Sequence, residues 1–159
     1  MIDRLDNVDL KAMTVRDIPD VQIIERSSFP TPWSFQAFVS ELEENENAHY
    51  LVARISGRVV GYIGLWIIID EGHITNVAVD PGYRSRGIGR LLLEAIASFA
   101  YKRGVRKMTL EVRVSNTRAQ ALYEKIGYRS YGIRKGYYRD SNEDAIIMWM
   151  DLVEGEPHA

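Results

Sequence analysis

The clearest periodic pattern of the chain lies between Gly87 and Gly104. Apolar residues recur there three and four positions apart, whereas polar and charged residues fall on the opposite side. This pattern predicts an amphipathic helix from residue 88 onward, and a glycine just past the last apolar residue is typical of a helix C-terminus. The apolar side comprises Ile88, Leu91, Leu92, Ala95, Ile96 and Phe99, and the polar side Arg90, Glu94, Ser98 and Lys102.

Capping and helix-breaking residues predict three further helices. Thr14 and Ser34 are candidate N-caps, and Gly127 is a candidate C-terminal glycine. The prolines of segment 29–33 end the first helix, because each proline restricts the residue before it. The three predicted helices span residues 15–28, 34–44 and 117–126.

Runs of β-branched and aromatic residues, separated by turn signals, predict about seven strands. Ser56-Gly57-Arg58 is a hairpin signal, and Asp70-Glu71-Gly72 is a second turn. Connections through helices join parallel neighbours and hairpins join antiparallel ones, so this order of elements predicts a mixed α/β sheet. The predicted strands span residues 10–13, 49–55, 59–69, 74–79, 107–112, 128–138 and 145–152.

Composition is that of one globular domain. The chain has 159 residues, 46% hydrophobic and 26% charged. We expect a single domain over residues 1–159, with a core over about 8–152 and a flexible tail over 153–159. A net charge of -2 provides no overall attraction to nucleic acid or to an anionic membrane, so neither is an expected partner. No apolar run is long enough to span a bilayer and residues 1–6 lack a signal-peptide pattern, so we expect a cytoplasmic protein.

The content of cysteine and histidine limits which covalent intermediates and metal sites the protein could form. Cysteine is absent, which excludes disulfides, a thiolate metal site and an acyl-cysteine intermediate. His49, His73 and His158 are too scattered for the spacing of metal ligands, so no metal is expected.

A basic, glycine-containing turn precedes the predicted helix that starts at residue 88. The N-terminus of a helix presents unpaired N–H groups, and glycines allow an anion to approach the backbone. Arg84 and Arg86 add positive charge, so a pyrophosphate could bind both the backbone and the guanidinium groups. The alternative is that Gly87 and Gly89 only permit a tight turn. The spacing matches neither the P-loop nor the dinucleotide-binding glycine motif.

Arg84-Ser85-Arg86-Gly87-Ile88-Gly89 matches in full the Q/R-x-x-G-x-G/A signature of the GCN5-related N-acetyltransferases, and the order of elements is similar to the fold of that family. A second block, residues 110–116 continuing to 121–128, resembles the corresponding family motif. Segments 29–33, 137–138 and 143–148 resemble the branch that acetylates the N-terminal alanine of ribosomal protein S18. The resemblance covers roughly residues 8–152 and implies a mixed, mostly antiparallel sheet flanked by about four helices.

The resemblance also implies a co-substrate, an acceptor and roles for individual residues. The co-substrate is acetyl-CoA, and the acceptor is the N-terminal amine of a protein such as ribosomal protein S18. Glu111 matches the general base of the branch and Tyr123 its general acid. The implied coenzyme-binding residues are Val77, Ala78, Val79, Arg84, Ser85, Arg86, Gly87, Ile88, Gly89, Arg90, Asn116 and Tyr123. The implied acceptor-binding residues are Trp33, Tyr137 and Tyr138.

Residue chemistry is consistent with those roles. Attack on a thioester needs a neutral amine, and at pH 7 about a tenth of an α-amine is neutral, against far less than a hundredth of a lysine amine. Glu111 could accept the proton if it lies within reach and its surroundings raise its pKa. Tyr123 could protonate the departing sulfur. Without cysteine or a G-x-S-x-G motif, direct transfer in a ternary complex is the expected mechanism.

Each assignment has an alternative interpretation. Glu111 could be an exposed strand carboxylate that pairs with Arg113, and Tyr123 could be a packed helix tyrosine. Trp33 could wall an acceptor cleft or only pack a loop. We interpret Glu41, Glu43, Glu44 and Glu46 as a solvated helix end that could also attract a basic peptide.

Two other functions compete with protein N-terminal acetylation. A related transferase acting on a small amine or a lysine side chain would share the fold and the donor site. A non-catalytic RNA or ribosome binder is the third hypothesis, because aromatic and basic residues interleave towards the C-terminus as in stacking platforms. Those residues are Tyr128, Arg129, Tyr131, Arg134, Lys135, Tyr137, Tyr138 and Arg139.

Overall fold

The computed structural model describes residues 7–153, so the first six residues and the predicted tail from 154 onward lie outside it. Within that range seven strands form one sheet in the order β1-β2-β3-β4-β5-β7-β6, and four α-helices flank it. The strands are β1 (Val8–Ala12), β2 (Ala48–Ile55), β3 (Arg58–Ile68), β4 (Glu71–Val79), β5 (Lys107–Arg113), β6 (Arg129–Tyr138) and β7 (Glu143–Asp151). The helices are α1 (Ile18–Ser28), α2 (Phe35–Glu43), α3 (Ile88–Lys102) and α4 (Thr117–Ile126).

The sheet is mixed and mostly antiparallel, which confirms the predicted fold class. β4 and β5 form the single parallel pair of the described sheet, and every other neighbouring pair is antiparallel. α3 makes the crossover between the two parallel strands, as expected for a parallel connection. Helices cover both faces: Tyr62 of β3 is buried among residues of α1 and α2, whereas Ile63 is buried among residues of α3.

Most predicted strand bounds differ by one or two residues from those observed, and two boundaries differ by more, for identifiable reasons. The first helix begins at Ile18 rather than residue 15, and one turn of 3-10 helix (Val15–Asp17) precedes it. Pro19 has no N–H to donate to the carbonyl of Val15, so the α-helix can begin only where this proline lies in the first turn. The turn predicted at 70–72 lies at 69–70 instead, where Ile69 adopts a positive φ of 58° and allows β4 to begin at Glu71.

Candidate active site

The site begins where β4 and β5 separate. The two strands are paired only from Glu71–His73 to Lys107–Thr109. A bulge follows at once: Leu65 and Gly64 of β3 pair with Ile74 and Asn76, which leaves Thr75 as an extra residue in β4. Residues 76–79 stay paired to β3 on one side, while no described strand pairs with their other side. The backbone N–H and C=O groups of that side therefore form a free strand edge inside the molecule.

A cavity of about 420 Å³ opens at this gap. Its walls come from β4, β5, the start of α4, the segment between α1 and α2, and the end of β6. The structure thus brings together residues that the sequence places far apart. Seven predicted site residues line the cavity: Trp33, Val77, Glu111, Asn116, Tyr123, Tyr137 and Tyr138.

The side chain of Glu111 is only 9% exposed. Its Oε1 accepts a hydrogen bond from Nε2 of His73 at 2.7 Å, and its Oε2 lies 3.8 Å from Nε of Arg134. The alternative pairing with Arg113 is wrong, because that guanidinium binds Asp140 at 2.7 Å and Glu143 at 3.4 Å. Glu111 is therefore a largely buried carboxylate that lines the cavity.

The electrostatics around Glu111 differ from what a strong base would need. Burial raises the pKa of the Glu111 carboxyl, but the hydrogen bond and charge of His73, together with the charge of Arg134, outweigh burial and hold this pKa below its usual value. The condition that the surroundings raise this pKa is thus not met. Because part of the lowering comes from the charge of His73, a neutral imidazole would leave the carboxylate more basic.

Tyr123 lies on α4 and is 8% exposed. Its ring packs against that of Tyr128 with centroids 6.0 Å apart, so the interpretation as a packed helix tyrosine describes part of its role. Its hydroxyl has no hydrogen-bond partner among residues 7–153, although the side chain lines the cavity. Burial raises the pKa of Tyr123 to about 12, so the phenol keeps its proton at neutral pH. The arrangement offers a buried O–H donor to a ligand.

The opposite wall of the cavity is aromatic and tied together by hydrogen bonds. The backbone N–H of Trp33 donates to Glu25 at 2.9 Å, and its ring packs on Phe38 at 5.3 Å, so Trp33 both walls the cleft and packs the loop. The guanidinium of Arg113 lies 4.0 Å from the ring centre of Tyr138. Tyr137 packs edge-on against Tyr138 at 5.0 Å. These contacts hold the aromatic wall in a defined position.

The glycine-containing turn lies outside this cavity, at the N-terminus of α3. Gly87 caps the helix, and the first helical hydrogen bond runs from Leu91 N–H to its carbonyl. The amides of Ile88, Gly89 and Arg90 precede that bond and donate to no described residue. Three backbone donors are therefore available to an anion.

The arginines of this turn differ in whether their guanidinium groups already bind other residues of the protein. Arg84 donates to the carbonyl of Val79 at 2.9 Å and to the hydroxyl of Ser28 at 3.0 Å, so it also supports the turn. Arg86 is exposed, with its guanidinium 5.1 Å from the ring centre of Tyr83. Arg90 forms an exposed ion pair with a carboxylate one helical turn further on.

The two glycines of the turn have different reasons to be glycine. Gly87 has a φ of 87°, which side chains rarely adopt, so the turn itself requires it. Gly89 is helical, and a Cβ there would meet only Leu122 and Val79, at 3.7 and 3.8 Å, which is ordinary contact. The protein alone therefore has room for a side chain at position 89. The interpretation as a turn residue explains Gly87 and leaves Gly89 unexplained.

The remaining predicted coenzyme residues lie close to this turn or on the flanking strand. Ala78 is buried on the α1 side of the sheet, and Ile88 is buried on the α3 side. Asn116 caps α4 by accepting from the amide of Ala119 at 3.1 Å, so its side-chain oxygen is already used. Ser85 is exposed and has a positive φ of 64°.

The sequence alone did not reveal several residues of the site. His73 has no motif to mark it and becomes the partner of Glu111 only when β4 and β5 pair. Arg118 of α4 hydrogen-bonds the hydroxyl of Ser85 and so places another cation at the glycine-containing turn. Glu25 is buried and lines the cavity, where the hydroxyl of Tyr62 donates to it. The one sequence signal that Glu25 faces inward is its spacing of seven and four residues from the apolar Ile18 and Val21 on the same helix.

The structure also revises two interpretations of residues that the sequence analysis placed on the surface. Glu41 is not solvated, because Trp66, Tyr50 and Asn45 donate to it at 2.6, 2.7 and 2.9 Å, whereas Glu43, Glu44 and Glu46 are exposed as predicted. Of the proposed stacking residues, Tyr128 is fully buried and cannot contact a nucleobase. Within residues 7–153 there is neither a group of three metal-ligating side chains nor a helix long and apolar enough to cross a membrane.

The structure combines a strand edge that pairs with no described strand, a helix N-terminus with unused amides, and a carboxylate and a phenol that line one cavity. Such groups suit acyl transfer from a phosphate-bearing donor. The family model described as the acetyltransferase (GNAT) family matches residues 18–128. The chain belongs to this family and is an acetyl-CoA-dependent N-acetyltransferase.

Individual relatives are similar to this chain over nearly their whole length. One from Bacillus subtilis, provisionally named a ribosomal protein bS18-alanine N-acetyltransferase, is 45% identical over 145 residues, which cover 91% of this chain and 96% of the relative. The ribosomal protein bS18-alanine N-acetyltransferase of Escherichia coli is 38% identical over 147 residues, covering 90% and 97%. A crystal structure of the Escherichia coli ribosomal-protein-S18-alanine N-acetyltransferase superposes with a TM-score of 0.83 at 34% identity, covering 94% of this chain and 98% of that one.

Proposed function

We propose that this protein acetylates the N-terminal amine of a protein, with the N-terminal alanine of ribosomal protein S18 as its acceptor. The observation that carries the proposal is the separation of β4 from β5, which leaves a free strand edge beside Glu111 and Tyr123 in one cavity. The activity named for the Escherichia coli and Bacillus subtilis relatives supports the choice of acceptor.

Acetyl-CoA fits the donor side of the site. The free edge of residues 76–79 offers backbone N–H and C=O groups, apart from the Val79 carbonyl, which already accepts from Arg84. The amides of an extended pantetheine arm can pair with these groups as an added strand would. The amides of Ile88, Gly89 and Arg90 can bind the pyrophosphate, with Arg86 and Arg118 as neighbouring cations. The coenzyme supplies an acetyl group activated as a thioester.

Glu111 and Tyr123 would perform the two proton transfers. Glu111 takes a proton from the acceptor ammonium, directly or through water, so that the nitrogen has a free electron pair for attack on the acetyl carbon. As the bond from carbon to sulfur breaks, the Tyr123 hydroxyl donates its proton to the departing sulfur. Burial keeps that proton on the phenol, since the pKa of Tyr123 is raised to about 12. The nitrogen, positively charged after the attack, loses its second proton, which returns to the Tyr123 phenolate directly or through water, while Glu111 releases the first proton to solvent. No covalent enzyme intermediate is needed.

The acceptor assignment predicts selective acetylation of α-amines. A peptide with the S18 N-terminal sequence should be acetylated on its terminal nitrogen, because an α-amine is neutral more often at pH 7 than a lysine amine. Mass spectrometry of the product would locate the acetyl group. The same peptide with a blocked N-terminus should not react. Faster turnover of lysine peptides or polyamines would favour the rival transferase and contradict the assignment.

Gly89→Ala should have opposite effects on folding and on donor binding. Alanine fits the space at this helical position, so we expect stability to rise by roughly 0.5–1 kcal/mol. The new methyl group would keep the pyrophosphate away from the amides, and losing one or two charge-assisted hydrogen bonds should weaken coenzyme A binding by about 10- to 100-fold. Thermal denaturation and calorimetry measure the two effects.

Gly104→Ala is the matched control at the other end of the same helix. Gly104 has a φ of 94° and open space around it, so this substitution should lower stability and leave coenzyme A affinity unchanged. Unchanged coenzyme affinity in Gly89→Ala would mean that Gly89 has no role in binding the donor.

A further inference from the structure

The proposed mechanism does not use His73, which makes the shortest contact of Glu111. His73 lies at the last paired position of β4, and its Nε2 is 2.7 Å from Oε1 of Glu111. An ionised carboxylate only accepts hydrogen bonds, so the imidazole N–H is the donor here. The side chain of His73 is 33% exposed, against 9% for Glu111. The imidazole therefore connects the buried carboxylate with solvent.

The hydrogen bond from His73 gives the two oxygens of the Glu111 carboxylate different surroundings. Oε1 is occupied by His73, while Oε2 has only Arg134 at 3.8 Å, too far for a hydrogen bond. Oε2 is therefore the oxygen free to receive a proton. If His73 were removed, the carboxylate could rotate and direct either oxygen elsewhere.

We propose that His73 is a positioning residue for Glu111: its N–H holds Oε1, so that Oε2 is directed towards the acceptor amine. This inference rests on the proposed role of Glu111 as the base. The hydrogen bond of 2.7 Å to Oε1 fixes the orientation of the carboxylate in the cavity.

The test compares two substitutions. His73→Gln keeps a neutral N–H donor, whereas His73→Ala loses the donor. We expect His73→Ala to lower kcat by roughly tenfold, the worth of one charge-assisted hydrogen bond, with the KM for acetyl-CoA unchanged. His73→Gln should recover most of the wild-type kcat, because its side-chain amide can still donate to Oε1.

His49→Gln is the matched control, since His49 lies on β2 against Phe99 at 5.2 Å and does not line the cavity. Its kcat should equal that of the wild type. A His73→Gln enzyme as slow as His73→Ala would overturn the inference, and so would a fully active His73→Ala.

A double-substitution cycle separates this inference from the proposed function. If His73 acts through Glu111, replacing it should have no further effect in a Glu111→Gln background. If His73→Ala lowers kcat as much in the Glu111→Gln background as it does in the wild type, the positioning role of His73 is overturned. The proposed role of Glu111 as the base would be unaffected by that result. Wild-type activity in Glu111→Gln alone would instead refute the proposed base, whatever His73 does.

Discussion

Glu111→Gln is expected to lower kcat by roughly 10²- to 10⁴-fold, the usual worth of a positioned general base. Glutamine has nearly the same shape, and its amide oxygen can still accept from His73, so the cavity should keep its form. The amide cannot take a proton from the acceptor ammonium. Coenzyme A affinity should change little, because the amides proposed for the pyrophosphate lie at the N-terminus of α3. Steady-state turnover and calorimetry test both statements.

Glu124→Gln provides the control for this substitution. Glu124 is an exposed glutamate on α4 next to Tyr123, so its replacement removes the same charge without entering the cavity. Its turnover should equal that of the wild type. A similar loss in both variants would show that net charge matters rather than a base at Glu111. Retention of activity by Glu111→Gln would mean that the amine loses its proton to water.

Tyr123→Phe should also lower kcat by roughly 10²- to 10⁴-fold if the phenol is the general acid. The hydroxyl has no partner among the described residues, so removing it breaks no hydrogen bond of the fold. The melting temperature should therefore stay the same or rise slightly while turnover falls. Stopped-flow or steady-state assays combined with thermal denaturation would show this separation.

Tyr131→Phe is the control for the phenol, because Tyr131 is 73% exposed on β6. It should leave both turnover and melting temperature unchanged. Since the pKa of Tyr123 is about 12, we expect no loss of wild-type activity from its ionisation below about pH 10. A melting temperature that falls together with turnover in Tyr123→Phe would indicate a packing role instead.

Local sequence signals were sufficient for most of the fold. α3 was predicted from its own periodicity, and the end of α4 from Gly127. The two largest errors occur where a single residue changes a boundary: Pro19 delays the start of α1, and the positive φ of Ile69 shortens the turn before β4. Neither effect can be read from hydrophobic pattern, because each depends on which backbone groups must donate or bend.

The site could be predicted only as far as it is contiguous in sequence. Glu111 and Tyr123 do share one cavity, yet the partner of Glu111 lies 38 residues earlier in the chain. The nearest cation in sequence, Arg113, turns instead to the carboxylates of Asp140 and Glu143. Which charges meet depends on the register of β4 against β5 and on the course of the loop before β7, and no local pattern encodes either.

The short contact between β4 and β5 divides the sheet into a four-stranded half and a three-stranded half joined by three residue pairs. A molecule seated in the gap would hydrogen-bond to the first half and contact Asn116 and Tyr123, which follow the first strand of the second. Filling the gap would thus complete the sheet across its weakest junction. Because whatever binds only the folded form stabilises it, conformational stability and saturation with donor should rise together in this protein.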